Sequence, residues 1–196
     1  MDPHLWWYVA RASGIVGWAL VTASVVYGLW VSLRLTRRRP RPAWVLDLHR
    51  FLGGLSVVFV GVHLAGLAAD SYAHFGLGEL LVPFASSWKP TAVAWGIVGV
   101  YLLVAVEATS LLMRRLPRRL WRAIHLSSYG IFAVSTIHMF TAGTDAGNAA
   151  LQWSAVAGTT AVVFLTVTRV LSGRPARRQM ALPTATERTT QPVPVA

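Results

Sequence analysis

The sequence of 196 residues has no cysteine and little charge, and each shortage excludes classes of protein. Without cysteine the chain can form no disulfide, no iron–sulfur cluster, no thiolate metal site and no covalent C-x-x-C-H heme attachment. Charged residues make up 13% of the chain, against roughly 25% in an average soluble domain, whereas apolar residues make up 55%. A soluble protein of this size could not cover its surface with so few charges, so the composition favours a membrane protein.

Long stretches without charge predict an all-α fold, an integral membrane bundle of five transmembrane helices. A spanning helix needs about 20 mostly apolar residues. The predicted spans are about 12–33, 50–69, 91–113, 122–143 and 147–169. They form one transmembrane domain over residues 1–171, with a short interfacial helix expected around 77–82. Residues 172–196 are rich in Pro, Thr and Arg, and we expect them to form a disordered cytoplasmic tail.

The net charge of +11 is distributed unevenly over the predicted loops. Arg11 and Lys89 fall on one side of the membrane, and the other 16 basic residues fall on the opposite side. By the positive-inside rule we expect the N-terminus outside and the C-terminus in the cytoplasm of a multi-pass cell-membrane protein. Arginines at the ends of apolar runs are typical of contact with membrane lipid. We therefore expect no nucleic-acid partner.

Four histidines, two on each of two predicted spans, are the main functional signal. They are His49, His63, His125 and His138. Ionisable side chains inside a membrane are costly and default to a functional role. The two intervals are 14 and 13 residues, which correspond to about 21 and 19.5 Å of helix rise. Because the second and fourth spans run parallel, His49 lies level with His125 near the inner face, and His63 with His138 near the outer face.

Two imidazoles facing each other at one depth are what six-coordinate heme iron requires. Because cysteine is absent, the heme must be bound noncovalently, so we expect two hemes of b type. The angle between the side chains of His125 and His138 complicates this interpretation. On an ideal helix, residues 13 positions apart point in directions that differ by about 140°. His125 and His138 share a face only if their helix is overwound or bent, which the stretch Ser127, Ser128 and Gly130 could permit.

Three further residues have open interpretations. Arg50 and Arg122 lie at the inner ends of the histidine spans, where they could pair with propionates of the inner heme or act only as topology signals. Glu107 could accept a quinol proton, tune the inner heme, or pair with a nearby arginine.

The residues around the histidines resemble the ferric reductase-like transmembrane domain, shared by ferric reductases, NADPH oxidases and the heme subunit of periplasmic methionine-sulfoxide reductase systems. The similar segments are LDLHRFLGG, GVHLAG, RAIHLSSY and STIHM, within a resemblance that covers roughly residues 10–170. In that family two parallel helices carry histidine pairs about 14 and 13 residues apart. The resemblance implies that His49 and His125 ligate the inner heme iron, and that His63 and His138 ligate the outer one.

The family often has six spans, with the histidine pairs on the third and fifth, and some members continue into a flavin and nicotinamide domain. Here about 25 residues follow the last predicted span, without a G-x-G-x-x-G motif, so we expect no flavin or nicotinamide site on this chain. The expected electron donor is a flavoprotein, a quinol or a diffusible reduced flavin. The expected external acceptor is ferric iron, oxygen or a periplasmic partner. His74 could guide a ferric complex or be a solvated loop residue.

Three functions therefore stay open. The leading one is transmembrane electron transfer through two bis-histidine hemes, to an external acceptor. The second is a heme-bearing anchor subunit of a larger redox complex, so whether the chain is itself an enzyme is open. The third is a heme-free transporter whose histidines carry protons or metal ions. We predict no catalytic residue on this chain.

Overall fold

The computed structural model describes residues 4–33, 43–70 and 75–172. Helices take up 83% of these residues, which contain no β-strand, so the predicted all-α class is confirmed. The helices are α1 (Leu5–Ser32), α2 (Ala43–Ala69), α3 (Leu77–Leu81), α4 (Pro90–Leu111), α5 (Arg118–Leu126), α6 (Ser128–Ala142) and α7 (Ala149–Ser172). The predicted tail, the arginines of 34–41 and His74 lie outside the described residues.

Four of these helices, α1, α2, α4 and α7, are long and apolar enough to cross a membrane. Their uncharged sequences leave many large apolar side chains exposed on the surface of the bundle, as a lipid environment allows. The chain is therefore a multi-pass membrane protein, as its composition predicts.

The structure replaces the predicted span 122–143 with two helices, α5 and α6. They are separated at Ser127, whose backbone N–H donates to the Ile124 carbonyl at 3.0 Å. A bond over three residues instead of four is the tighter 3₁₀ turn. His125 and His138 therefore lie on different helices, and the angle between their faces is not that of one ideal helix.

Two antiparallel helix pairs form the bundle, because α1 packs along α2 and α4 packs along α6. The α1–α2 pair is especially close at Gly66, where an added Cβ would lie 3.0 Å from the backbone nitrogen of Ala10. α7 packs on α1. Trp18 of α1 donates its indole N–H to the Thr136 hydroxyl of α6 at 3.0 Å, which joins the two pairs.

The short helix α3 lies where the sequence predicts an interfacial helix, and Glu79 fixes its start. The backbone N–H groups of Ser87 and Gly76 each donate to the Glu79 carboxylate at 3.1 Å. These two bonds, the one from Ser87 first, hold the pKa of Glu79 below its usual range. The carboxylate therefore organises this loop.

Gly66→Ala should destabilise the bundle, whereas Gly61→Ala should not. A methyl group at residue 66 would meet the backbone of α1, which cannot yield without separating α1 from α2, and overpacking of this kind costs about 1–3 kcal/mol. A Cβ at residue 61, on the same helix, meets nothing within 4 Å. Thermal unfolding of the two purified variants in detergent tests this, and equal melting temperatures would contradict it.

Candidate heme-binding site

The structure brings the four predicted histidines together as two pairs. The ring centres of His49 and His125 lie 6.1 Å apart, and those of His63 and His138 lie 6.4 Å apart. In each pair the rings are nearly perpendicular, at 77° and 79°. α2 supplies one histidine to each pair, α5 supplies His125 and α6 supplies His138.

The second pair, His63 and His138, is held by two backbone carbonyls on neighbouring helices. The Nδ1–H of His63 donates to the carbonyl of Ala10 on α1 at 2.7 Å, and that of His138 donates to the carbonyl of Ala92 on α4 at 2.8 Å. Because a carbonyl only accepts, the proton of each neutral ring lies on Nδ1 and the lone pair lies on Nε2. Metal-binding histidines usually have this arrangement.

Two glycines make room for these rings. A Cβ on Gly14 would lie 2.9 Å from Nδ1 of His63, and one on Gly96 would lie 2.7 Å from Cε1 of His138. Each glycine follows, by four residues, the alanine whose carbonyl accepts the histidine proton. We call this combination, a hydrogen-bond acceptor at residue i and a glycine at i+4 on the neighbouring helix, a histidine seat.

The first pair, His49 and His125, is held less firmly. Nδ1 of His49 lies 3.5 Å from the Ser24 hydroxyl, a long hydrogen bond, and a Cβ on Gly28 would lie 3.0 Å from the same ring. Nδ1 of His125 is buried and has no hydrogen-bond partner among the described residues.

Aromatic rings flank the first pair on both sides. Tyr27 stacks on His49 with ring centres 6.5 Å apart, and Trp121 stacks on His125 at 5.1 Å. The Tyr27 hydroxyl and the Trp121 indole nitrogen are also buried without a partner in the described part of the chain. Such unpaired buried groups are uncommon in proteins, and water or a bound ligand beside this pair would satisfy them.

An apolar cavity of about 200 Å³ adjoins the second pair. His63 and His138 line it together with glycines of α1 and α4, and it extends to Arg11 and Asp145 at one end of the bundle. The guanidinium of Arg11 donates to both carboxylate oxygens of Asp145, so an ion pair joins α1 to the α6–α7 turn there.

The predicted cations lie at the surface. Arg50 is exposed and pairs with Asp47 at 3.3 Å, and Arg122 is exposed. Neither makes a hydrogen bond to His49 or His125. Arg169 of α7, which the sequence analysis did not single out, lies close enough to His125 for an electrostatic interaction.

The family model described as the ferric reductase like transmembrane component matches residues 13–136, more than half of the chain. The chain belongs to this ferric reductase-like family. The matched segment contains His49, His63 and His125, and it ends two residues before His138. No curated protein and no solved structure matches the chain. Membership confirms the resemblance seen in the sequence and indicates transmembrane electron transfer.

The donor set of this ferric reductase-like chain fits heme better than a bare metal ion. Each pair offers two imidazole nitrogens, and residues 4–33, 43–70 and 75–172 contain no group of three or more potential metal ligands. Zinc sites take three or four protein ligands, whereas heme supplies four nitrogens of its own and needs only two axial ones. With metal–nitrogen bonds of about 2 Å, two axial imidazoles have ring centres about 6 Å apart, close to the separations of both pairs.

Glu107 is half-buried on α4, and its carboxylate lies against Gly53, one turn after His49. A Cβ on Gly53 would collide with Oε1 of Glu107. The pairing with a nearby arginine, one of its three interpretations, is not seen, since no described arginine lies within 4 Å.

The sequence analysis did not single out the glycines of α1 and α4 that lie beside the histidine rings. Gly54 and Gly61, on the histidine helix α2, meet nothing within 4 Å. The sequence does contain a pattern that points to two of these glycines. Gly14 and Gly28 are 14 residues apart on α1, which is the same interval as that between His49 and His63 on α2.

The Arg11–Asp145 pair makes the stability of the protein depend on pH. The hydrogen bonds from Arg11 hold the pKa of Asp145 below its usual range. A depressed folded-state pKa stabilises the fold above the unfolded value of about 3.9, and this stabilisation is lost as the pH falls through the folded-state pKa. Asp145→Asn should therefore lower the melting temperature at pH 7, and its difference from wild type should shrink in acid.

Melting curves of the two proteins in detergent between pH 7 and pH 3 measure this difference. Asp47→Asn is the matched control, because the Asp47–Arg50 pair is mostly exposed and surface pairs contribute little. A difference between Asp145→Asn and wild type that stays constant with pH would argue against an ion-pair effect.

Proposed function

We propose that the protein transfers electrons across the membrane through two b-type hemes. His49 and His125 would ligate the inner heme iron, and His63 and His138 would ligate the outer heme iron. The observation that carries the proposal is the occurrence of two imidazole pairs at ring separations of 6.1 and 6.4 Å. The histidines of α2 are 14 residues apart, so the pairs lie at two depths separated by about 21 Å of helix rise.

The proposed topology has five spans, namely α1, α2, α4, the α5–α6 unit and α7, with the N-terminus outside. Its support is the distribution of basic residues. Arginines follow α4 and precede α5, whereas Lys89 and Arg11 lie towards the opposite end of their helices. With this orientation His63, His138 and the cavity are on the external side.

The chain's own residues position the ligands and exclude water. The carbonyls of Ala10 and Ala92 hold the outer histidines as Nδ1–H tautomers, so that Nε2 is the free nitrogen. The glycines let the rings and a flat ligand approach α1 and α4 closely. The bound hemes would supply the one-electron chemistry. Two histidines would hold each heme, and the bound heme would supply the electron to an external acceptor.

At the inner site the propionates need polar partners. Tyr27 and Trp121 offer buried donors beside His49 and His125. We assign Arg50 and Arg122 to the same carboxylates, which is one of the two interpretations that the sequence leaves open, because a surface arginine has a long reach. Arg169 is a third cation on this side.

Electrons would enter from a separate donor, which is a flavoprotein, a quinol or a reduced flavin. The described residues are almost entirely helical and contain no nucleotide-binding fold. Ferric iron, oxygen or a periplasmic partner would accept the electrons outside. A heme-free metal transporter has less support, because the described part of the chain offers each candidate ion only two histidines.

A reduced-minus-oxidised absorption spectrum of the purified protein, with heme quantified, tests the proposed function. We expect two b-type hemes per chain. His49→Ala and His125→Ala should remove the same spectral component, and His63→Ala and His138→Ala the other, because each pair shares one iron. His4→Ala, outside both pairs, is the control. A folded protein supplied with heme that binds none would overturn the proposal and favour proton or metal transport.

Gly96→Ala should weaken the outer heme site alone. The added methyl group would lie 3.0 Å or less from three atoms of the His138 ring, so the ring must leave its seat. We expect the outer component to fall and the inner one to persist. Gly54→Ala is the control, since a Cβ there meets nothing within 4 Å. Equal heme contents and spectra in the two variants would show that the seat does not position His138.

A further inference from the structure

Three of the four histidines have a histidine seat on the antiparallel neighbouring helix. Moving 14 residues back along α2, from His63 to His49, corresponds to moving 14 residues forward along α1, from Ala10 to Ser24. The carbonyl of Ala10 faces the His63 ring and Ser24 faces the His49 ring, and Gly14 and Gly28 leave room for the two rings. α1 therefore carries two seats in register with α2.

The same comparison of equal shifts along two antiparallel helices, applied to α4 and α6, leads to a position on α4 where the glycine of a histidine seat is missing. His138 is seated by Ala92, and His125 lies 13 residues earlier, so its counterpart on α4 is Ala105. Four residues further, in place of a glycine, stands Thr109. Its hydroxyl donates to the carbonyl of Ala105 at 2.7 Å.

The state of His125 agrees with this comparison. Its Nδ1 is buried and has no hydrogen-bond partner among the described residues. The only ring contacts that it makes there are with His49 and with Trp121 of its own helix. The outer pair thus has two short hydrogen bonds from Nδ1, at 2.7 and 2.8 Å, and the inner pair has one long one at 3.5 Å.

Hydrogen bonding at Nδ1 changes how strongly the ring donates through Nε2. An Nδ1–H that donates to a carbonyl makes the imidazole a more basic ligand. A more basic axial ligand stabilises ferric iron more than ferrous iron, and so lowers the reduction potential of the heme.

We propose that the missing seat makes the two sites unequal, so that the inner heme, ligated by the unseated His125, has the higher reduction potential. This inference rests on the proposed function. A singly reduced protein would then hold its electron mainly at the inner site, on the side of the donor. The outer site would fill only when a second electron arrives, which limits loss of single electrons to an unintended external acceptor.

A potentiometric titration of the purified two-heme protein tests the order of the potentials. The component that disappears in His125→Ala identifies the inner heme, and the component that disappears in His63→Ala identifies the outer one. We expect the inner component to have the higher midpoint potential in the wild type. Equal midpoints, or the reverse order, would overturn the inference, whereas a protein without heme would instead overturn the proposed function.

Thr109→Gly separates the effect of the seat from that of nearby charges such as Arg169, because it changes no charge. It frees the Ala105 carbonyl and the space beside it. We expect the inner heme alone to become harder to reduce, by about tenfold in the equilibrium constant or about 59 mV for one electron. An inner midpoint that does not move in a heme-loaded Thr109→Gly protein would overturn the inference.

Thr168→Gly is the matched control, since the Thr168 hydroxyl also donates to the carbonyl four residues earlier, that of Phe164, at 2.8 Å. Neither midpoint should change in this variant. A shift of the inner midpoint equal to that of Thr109→Gly would show a general effect of glycine and overturn the inference. If the Thr109→Gly protein does not fold, the order of the two midpoint potentials in the wild type still tests the inference.

Discussion

The lipid core of a membrane offers no hydrogen-bond acceptor, so the protein itself is the main source of acceptors for an imidazole buried there. In this chain the acceptor is a helical carbonyl, which has a second lone pair beside the one used by the helix itself. Ala10 and Ala92 provide such carbonyls for His63 and His138. Each bond requires a neighbouring helix at short range, so α1 must pack against α2, and α4 against α6. The packing of the bundle and the construction of the site are therefore one constraint.

Small residues satisfy this constraint in two ways. Gly66 of α2 lets the backbone of Ala10 approach, which brings the carbonyl of Ala10 towards His63. Gly14 then removes the side chain that would otherwise collide with the ring. Close approach of helices through small residues is common in membranes, where no hydrophobic force draws helices together. Here the same approach also fixes a tautomer.

Four of the five predicted spans, and the histidines within the apolar stretches, could be recognised because both depend on local sequence. An uncharged stretch of about 20 residues implies a span, and a histidine within it is conspicuous. The stacking of Trp121 on His125 was also accessible, since the two are four residues apart on one helix. The histidine seats depend on the distance and register between helices, and the break at Ser127 depends on which carbonyl its N–H selects. The stretch Ser127, Ser128 and Gly130 permits a break, but no local pattern fixes its exact position or the register between helices.

The break at Ser127 separates the seated His138 from the unseated His125. α6 keeps its register with α4, and His138 reaches the carbonyl of Ala92. On the other side of the break the ring centre of His125 lies 6.1 Å from that of His49, and its Nδ1 has no hydrogen-bond partner among the described residues. The carbonyl of Ala105 accepts from the Thr109 hydroxyl instead. The two histidine pairs have nearly equal ring separations. They differ in the hydrogen bonds that the neighbouring helices offer to Nδ1 of each ring.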